Sequence, residues 1–288
     1  MISNEQQSNL WNGTKGAAWV QSQALLDELF RHVTDLVIAN IAPGQPLRVL
    51  DVGCGTGAVS LALAKQLAAD GHVTGHVTGH VTGLDISAPM LARAKERAAA
   101  AGLADRTDFI LADAQTHGFE PGVFDHIISR FGVMFFADTV AAFRNLRKAA
   151  KPGASLRLAA WRAPKENPFM TTADRAVRSL MPDLPPRNTS GPGQFAFADD
   201  AVVAGYLANA GWADVAITPI DPTCAMPRAS LLDFVTRMGP LGEVLDSAPP
   251  DQQANIIDTV LGAFDRFIAG DQVRFTAACW LVEATNAK

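Results

Sequence analysis

The stretch that most constrains this chain is Asp51-Val52-Gly53-Cys54-Gly55-Thr56-Gly57, in which three glycines alternate with other residues directly after an acidic one. An apolar run, Leu47 to Leu50, precedes it, and a helical run, Ala58 to Gln66, follows it. The segment therefore predicts a strand, a tight turn and a helix. Glycines in such a turn can adopt positive φ angles and let a ligand approach the backbone where a Cβ would clash.

The glycine spacing separates this turn from two other ligand-binding turns. A dinucleotide fingerprint requires G-x-G-x-x-G, and Ala58 stands at its third glycine position. A phosphate-binding P-loop requires Gly-Lys-Ser/Thr, which is absent here. The spacing therefore disfavours a nicotinamide oxidoreductase.

Apolar strand-like runs alternate with helical runs after this turn. Strands are predicted at 47–52, at a segment ending with Asp85, and at 109–111, 124–129 and 155–161, with helices at 58–69, 88–101 and 139–150. A further helical pattern runs from Gly16 to Ile41, and Ser87 is expected to cap the helix at 88–101. Such alternation predicts a parallel sheet that is covered on both faces, with the carboxyl ends of its strands on one edge.

The pattern is less regular after residue 162. Pro164 to Phe197 is rich in Pro and Gly and predicts a lid or connector with one helix at 171–180. A helix at 199–210, a strand at 215–220, interrupted helices over 228–268 and a last strand in the apolar run Phe275 to Val282 follow.

The turn resembles motif I of the class I methyltransferases that use S-adenosylmethionine (SAM). Asp113-Ala-Gln-Thr-His-Gly-Phe-Glu, then Phe124-Asp125 and Ile128-Ser-Arg-Phe-Gly-Val-Met-Phe-Phe, are similar to the ubiquinone/menaquinone C-methyltransferase-like branch, with a type 11/25-like domain. The resemblance covers about residues 9–162. It implies a Rossmann-like α/β fold with a seven-stranded, mostly parallel sheet, an antiparallel last strand, helices on both faces and helical lid insertions.

The resemblance also implies a division of the chain and a set of cofactor residues. Residues 1–45 would form a helical segment covering the cofactor, 46–162 the SAM-binding core, and 163–288 the lid, insertions and remaining strands of the same domain. Asp51 would face the amino end of the methionine moiety, Asp85 the ribose hydroxyls and Asp113 the adenine amino group. The other expected cofactor residues are Gly53, Cys54, Gly55, Gly57, Ile86, Met90, Ala114, Arg130, Phe131, Trp11 and Trp19.

The methyl acceptor would meet the cofactor where the strand at 124–129 ends, and the aromatic segment there suits a flat or apolar molecule. Residues expected to line its pocket, with ordinary core packing as the alternative, are Met134, Phe135, Trp161, Arg162, Asn167, Met170 and Phe195. His117 and His126 are candidates for a general base, which is needed only if the acceptor carries a proton; a structural role is the alternative for each.

The sequence Gly-His-Val-Thr occurs three times in succession from Gly71 to Thr82. Its histidines would be about 13 Å apart on a strand, which is too far for a shared metal ion, and its residues are poor helix formers. Removing two copies would bring Asp85 to about 20 residues after Gly57, the usual distance between a Gly-rich turn and its ribose carboxylate. We therefore expect the two extra copies to form a surface excursion that extends the loop into the strand ending with Asp85, and we expect no metal site.

Composition narrows the remaining possibilities. The net charge is −5 and no long Lys/Arg run occurs, which disfavours a nucleic-acid partner. Residues 1–10 lack the apolar region of a secretory signal, and no apolar run is long enough to span a bilayer. The three cysteines, Cys54, Cys224 and Cys279, lack metal-ligand spacing and suggest reduced thiols, so we expect a cytoplasmic protein. We expect the protein to be a monomer or a homodimer.

Together these features predict a methyltransferase that moves a methyl group from SAM to a small, apolar or aromatic metabolite and releases S-adenosylhomocysteine. One alternative is a SAM-binding protein that senses the cofactor or catalyses a different reaction, since binding residues do not prove turnover. A peptide acceptor and a nicotinamide-dependent oxidoreductase are further alternatives.

Overall fold

The computed structural model describes residues 4–42, 44, 46–68, 79–178, 180–181, 191–238, 241, 245 and 248–287. Helices and strands of these residues are labelled here in chain order. The helices are α1 (Asn4–Asn12), α2 (Thr14–Gln21), α3 (Gln23–Leu29), α4 (Arg31–Ile38), α5 (Ala58–Ala68), α6 (Ala88–Ala100), α7 (Thr139–Ala149), α8 (Pro168–Val177), α9 (Asp200–Asn209), α10 (Leu231–Arg237) and α11 (Pro250–Ala263). The strands are β1 (Leu47–Val52), β2 (Gly79–Asp85), β3 (Thr107–Leu111), β4 (Phe124–Arg130), β5 (Ala150–Trp161), β6 (Ala213–Ile220), β7 (Thr223–Pro227), β8 (Ile268–Ala269), β9 (Gln272–Thr276) and β10 (Cys279–Thr285).

The large sheet has seven strands in the order β3-β2-β1-β4-β5-β10-β6. Strands β1 to β5 pair in parallel, and only β10 runs antiparallel, to both β5 and β6. This arrangement confirms the predicted mostly parallel sheet with an antiparallel last strand. It also brings the carboxyl ends of β1 to β4 together at one edge.

The central strands are apolar because helices cover both of their faces. Val49, Leu50 and Val52 in β1 are all buried, although they alternate between the faces of the sheet. On α7, Phe143 and Leu146 are buried at helical spacing, and the Asp138 carboxylate accepts from Ala141 N at 2.9 Å to cap the helix. These helices hold the sheet edge in place.

Near the C-terminus the structure corrects one prediction. The run Phe275 to Val282 is divided between two strands, because Ala277 N donates to Pro222 O and Ala278 N to the Asn167 side chain instead of to a neighbouring strand. Strand β9 pairs with β7 and β8 in a separate three-stranded sheet, and β10 joins the large sheet. Periodicity did not predict this second sheet.

Two other sequence features can be placed. The last Gly-His-Val-Thr copy forms the first half of β2, whereas residues 71–78 lie outside the described part of the chain, as do residues 179 and 182–190 of the predicted lid. The three cysteines are buried and free. Within the described ranges, no helix has the length and apolar character to cross a membrane, and no cluster of metal-ligating side chains occurs.

Candidate functional site

The glycine turn lies between β1 and α5 at the carboxyl edge of the sheet. Gly53, Gly55 and Gly57 have φ angles of 67°, 55° and 82°, a region that side chains other than glycine rarely adopt. A Cβ on Gly53 would lie 2.6 Å from the Cα of Gly132, so the turn after β4 also passes too close for a larger residue. The turn is held to β2, since Gly53 N and Cys54 N donate to Leu84 O at 2.8 and 3.1 Å.

The carboxylate of Asp85 links this turn to the start of α6. Its Oδ2 accepts from Gly55 N at 2.8 Å, and its Oδ1 accepts from Ser87 N at 2.9 Å. Burial raises the pKa of Asp85, and these backbone hydrogen bonds oppose the rise. Because each carboxylate oxygen can accept more than one hydrogen bond, Asp85 can still accept from two adjacent hydroxyl groups of a ligand.

Asp51 has a buried oxygen atom without a partner. Its Oδ2 accepts from Ser60 Oγ at 2.6 Å, whereas its Oδ1 is buried and has no hydrogen bond among the described residues. Burial raises the pKa of this carboxyl to about 6, although the Ser60 hydrogen bond and the charge of Arg130 favour ionisation. An unpaired buried carboxylate oxygen is costly, and a ligand ammonium group would satisfy it.

Arg130, at the end of β4, supplies a nearby positive charge. Its Nη1 donates to the hydroxyl of Thr34 at 2.7 Å, and its guanidinium carbon lies 5.9 Å from the centre of the Phe30 ring. Burial lowers the pKa of Arg130, and the charges of Asp27 and Asp51 oppose this. Within the described ranges no ion pair joins Arg130 to a carboxylate. Asp51 and Arg130 thus offer opposite charges to a zwitterionic group.

The loop after β3 lies beside Asp85, since Ala112 N donates to Asp85 O at 3.0 Å. The Asp113 carboxylate accepts from Gln115 N at 2.9 Å and from the Gln115 side-chain amide at 3.1 and 3.2 Å. Ala114 is buried, and its carbonyl accepts from Asn145 at 2.9 Å. The carboxylates of three successive strand ends, β1, β2 and β3, are therefore arranged around one edge.

Ile86 and Met90 lie next to this turn. A Cβ on Gly55 would be 2.7 Å from the Met90 Cε, so the buried Met90 side chain contacts the glycine turn directly. The Ile86 carbonyl accepts from the side chain of Asn12 at 2.9 Å. Both predicted positions therefore belong to the same edge as Asp85.

The end of α1 lies across the start of α6. Asn12 Oδ1 accepts from Ala88 N at 2.9 Å, and Ser87 Oγ donates to Trp11 O at 2.6 Å. Ser87 occupies the predicted N-cap position of α6, but its side chain makes no capping hydrogen bond: its hydroxyl donates to α1, and Asn12 accepts from the first N–H group of the helix instead. The Trp11 ring contacts Trp19 and Phe135, with centroids 6.2 and 5.1 Å apart, and so joins the N-terminal helices to the turn after β4.

An aromatic wall, formed by Phe30, Phe131 and Trp161, lies beside Arg130. The Phe131 and Trp161 rings are stacked at 4.6 Å with an interplanar angle of 10°, and Phe30 contacts both edge-on. Phe131 has φ of 67°, which is rare for a bulky residue and costs backbone free energy. Met134 is buried behind this wall, and its sulfur accepts from Trp161 N at 3.4 Å.

Other predicted pocket residues are engaged in internal contacts. Arg162 makes ion pairs with Glu166 and Asp221, and Asn167 is buried and bonds to both Ala278 N and Ala278 O. Partly buried Met170 and buried Phe195 belong to the hydrophobic core. These contacts are those of a structural framework behind the aromatic wall.

The two candidate general bases, His126 and His117, lie in different parts of the structure. His126 Nδ1 is 2.6 Å from Ser155 Oγ in a groove of about 270 Å³. It lies four residues before Arg130 and thus about 13 Å from the strand end. Burial lowers its pKa. His117 packs edge-on against Phe119 at 4.6 Å, after the Asp113 loop. The structure therefore does not bring His126 to the site edge.

Sequence reasoning did not identify several residues that support the site. Ser60, Thr34, Gln115 and Asn145 each donate a hydrogen bond to, or accept one from, a predicted site residue. Gln115 alone could have been suspected, since it lies two residues after Asp113. A separate groove of about 470 Å³ runs along α5 and the second half of α6, away from these residues.

Comparisons with known proteins relate this chain to a protein family and to a shared fold. Residues 49–153 match a family described as a methyltransferase domain. The demethylmenaquinone methyltransferase of Lactiplantibacillus plantarum is 35% identical over 126 residues, which are 44% of this chain and 50% of that protein. The chain thus spans about half the length of this curated relative.

Two solved structures show the same fold. A phosphoethanolamine N-methyltransferase 2 of Haemonchus contortus, in complex with S-adenosyl-L-methionine, aligns with a TM-score of 0.56 at 16% identity, over 97% of this chain and 59% of that one. The [4+2]-cyclase SpnF aligns with a TM-score of 0.53 at 17% identity, over 95% and 96% of the two chains.

Proposed function

We propose that this chain, which belongs to the class I methyltransferases of the quinone C-methyltransferase-like branch, transfers a methyl group from SAM to a small apolar or aromatic acceptor. The observation that carries this proposal is the placement of Asp51, Asp85 and Asp113 at three neighbouring strand ends around the glycine turn. Three spaced carboxylates match the ammonium, hydroxyl and amino donors of SAM.

The methionine end of the cofactor would lie between Asp51 and Arg130. The unpartnered Oδ1 of Asp51 would accept from the ammonium group, and the Arg130 guanidinium would pair with the carboxylate. In support, within the part of the chain that the structure describes, the Asp51 oxygen lacks a donor, and the partly buried Arg130 guanidinium bonds to a neutral hydroxyl and to no carboxylate.

The nucleoside end would lie along the turn and the neighbouring strand ends. Asp85 would accept from both ribose hydroxyls while it keeps its bonds to Gly55 N and Ser87 N. Asp113 would accept from the adenine amino group, with Ile86 and Met90 against the ring. Gly53, Gly55 and Gly57 would let the ligand pass against the backbone, and Cys54 would remain a neutral buried thiol, since burial raises its pKa.

Bound SAM supplies a methyl group that is already activated by the positive sulfur. The chain therefore has to align the acceptor and exclude water, and this positioning lowers the barrier by several kcal/mol. We assign acceptor positioning to the stacked Phe131 and Trp161, and Phe135, in the same turn after β4 as Phe131, contacts Trp11 of α1. No general base is assigned, since His126 lies in a separate groove.

We further propose that the helices of 1–45 cover the cofactor edge and that 163–288 complete the acceptor side. In support, Trp11 and Asn12 contact the start of α6, and Arg237 in α10 donates to Gln21 in α2 at 3.0 Å. Residues 1–45 and 163–288 are therefore in contact with each other. Because this contact would enclose the proposed site, it favours a small acceptor over a macromolecule.

A second candidate function is a SAM-dependent reaction other than methylation. The observation that favours it is the fold shared with the [4+2]-cyclase SpnF. The two functions differ in consumption of the cofactor, because only methylation converts SAM to S-adenosylhomocysteine in proportion to product.

Calorimetric titration tests the cofactor assignment. We expect SAM and S-adenosylhomocysteine to bind in a ratio of one per chain, whereas NAD⁺ and NADP⁺ give no heat. Binding of a nicotinamide cofactor without binding of SAM would overturn the proposal.

A further inference from the structure

The side chain of Gln115 connects the adenine-side loop to α7. Its amide nitrogen donates to both oxygens of Asp113, at 3.1 and 3.2 Å, and its Oε1 accepts from Asp138 N at 2.8 Å. Asp138 is the capping residue of α7. One side chain thus spans from the Asp113 carboxylate to the first turn of the next helix.

Helix α7 is a rigid support for this connection. Its Phe143 and Leu146 side chains are fully buried, and the carbonyl of Phe143 accepts from the indole of Trp212 at 3.0 Å. From the middle of α7, Asn145 donates to Ala114 O and His117 O, both at 2.9 Å. The loop is therefore held to α7 at two points, by Gln115 and by Asn145, and of these two side chains Gln115 is the one that contacts the carboxylate of Asp113.

Contact with both oxygens restricts rotation of the Asp113 carboxyl group. An aspartate on a loop otherwise exchanges between orientations, and a ligand must then order it on binding, which reduces affinity. A carboxylate that is already oriented therefore raises the affinity for a ligand that carries a donor at the matching position, and leaves the other contacts of the ligand unchanged.

We propose that Gln115 is a positioning residue that orients Asp113 for recognition of the 6-amino group of the cofactor's adenine ring. The inference rests on the proposed function, since it needs an adenosyl ligand at this edge. It predicts an effect confined to one substituent of the ligand, whereas a general structural role would weaken all ligands equally.

The test compares two ligands by calorimetry: S-adenosylhomocysteine, and its 6-deamino analogue with hydrogen in place of the amino group. We expect the wild-type chain to prefer S-adenosylhomocysteine by about tenfold, the effect of one hydrogen bond. Gln115→Met removes the hydrogen bonds of the side chain to the Asp113 carboxylate and the acceptor for Asp138 N. Gln115→Glu removes the donor to Asp113 and retains the acceptor for Asp138 N. In each variant we expect the preference to fall to about twofold or less, mainly through weaker binding of S-adenosylhomocysteine.

Thr116→Ala is the matched control, since Thr116 is the next residue and is exposed. We expect it to keep the full preference. An unchanged preference in the Gln115 variants, or an equal loss for both ligands, would overturn the inference while leaving the proposed function intact. Failure of the wild-type chain to bind either ligand would instead overturn the proposed function and, with it, this inference.

Discussion

Arg97 in α6 donates a hydrogen bond to the carbonyl oxygen of Thr56, inside the glycine turn, at 2.5 Å. The same guanidinium forms an ion pair with Asp27 of α3, whose carboxylate also accepts from Gln23 at 2.6 Å. Both charged side chains are largely buried, at 19% and 24% exposure. Arg97 therefore ties the N-terminal helices to the turn on which the proposed cofactor site depends.

We expect Arg97→Met to lower the free energy of unfolding by about 2 kcal/mol, because it leaves a partly buried carboxylate and a turn carbonyl without their donor. Chemical denaturation measures this loss. Arg31→Met is the control: Arg31 pairs with Glu28 at 54% and 68% exposure, and such a surface pair contributes less than about 1 kcal/mol. Equal effects of the two substitutions would contradict the assigned role of Arg97.

The raised pKa of Asp51 predicts opposite pH dependences for stability and binding. The value of about 6 in the folded chain exceeds the ordinary 3.8, so ligand-free stability is greatest below pH 4 and declines as the pH rises through 6, by about 3 kcal/mol. An ionised Asp51 is needed for the ammonium group, so SAM affinity should rise up to pH 6 and then level off.

Asp51→Asn is the comparison variant for this prediction, since its side chain does not titrate. The stability difference between wild type and variant should change by about 3 kcal/mol between pH 4 and pH 7, and the variant's SAM affinity should lose its dependence near pH 6. A difference that does not vary with pH would contradict the burial of an unpaired carboxylate.

Asp85→Ala should weaken SAM binding by roughly 100-fold or more, since two hydrogen bonds to a charged group are lost. The variant should also unfold about 2 kcal/mol more easily, because Gly55 N and Ser87 N lose their acceptor. Affinity is measured by calorimetry at a temperature where both proteins are folded.

The control for this substitution is Asp108→Ala on the neighbouring strand. Asp108 is 70% exposed and pairs with His80 at 2.8 Å, so its loss should leave SAM affinity unchanged. Unchanged affinity in Asp85→Ala itself would remove the ribose assignment.

The positive φ of Phe131 predicts an unusual order of stabilities. At φ of 67°, glycine is tolerated about 1 kcal/mol better than alanine, so Phe131→Gly should be more stable than Phe131→Ala. Both should lose activity by the same mechanism, since both remove the ring that stacks on Trp161. At Phe143, inside α7, the order should reverse, because glycine costs about 1 kcal/mol relative to alanine in a helix interior. Thermal melting of the four variants checks both orders. The same order at both positions would contradict the strain assigned to Phe131.

The part of the fold that follows simple alternation was predictable from sequence. Strands β1 to β5 are largely apolar runs, and a helix separates each from the next except between β3 and β4. The rule for parallel crossovers then places Asp51, Asp85 and Asp113 on one edge. The second sheet was not predictable, because β9 continues into the apolar Ala277 and Ala278 and periodicity does not say where a strand changes partners.

The support of the site depends on packing between distant segments. Arg130 bonds to Thr34 in α4, and Asp51 to Ser60 in α5, through the angles at which these helices cross the sheet. The same reason explains Ser87, which occupies the N-cap position of α6 but whose hydroxyl donates to Trp11 O in α1 and makes no capping hydrogen bond. Local sequence preference does not contain such contacts.

Transfer of a labelled methyl group tests the central claim most directly. The chain is incubated with methyl-labelled SAM and a cell extract separated into small molecules, protein and nucleic acid, with Asp85→Ala as the parallel control. Label in the small-molecule fraction, formed by the wild type and largely lost in the variant, is the result expected here, and the product's mass identifies the acceptor. Label confined to protein or nucleic acid would contradict the account. So would SAM that binds to the chain but is not converted to S-adenosylhomocysteine in the presence of any of the three fractions.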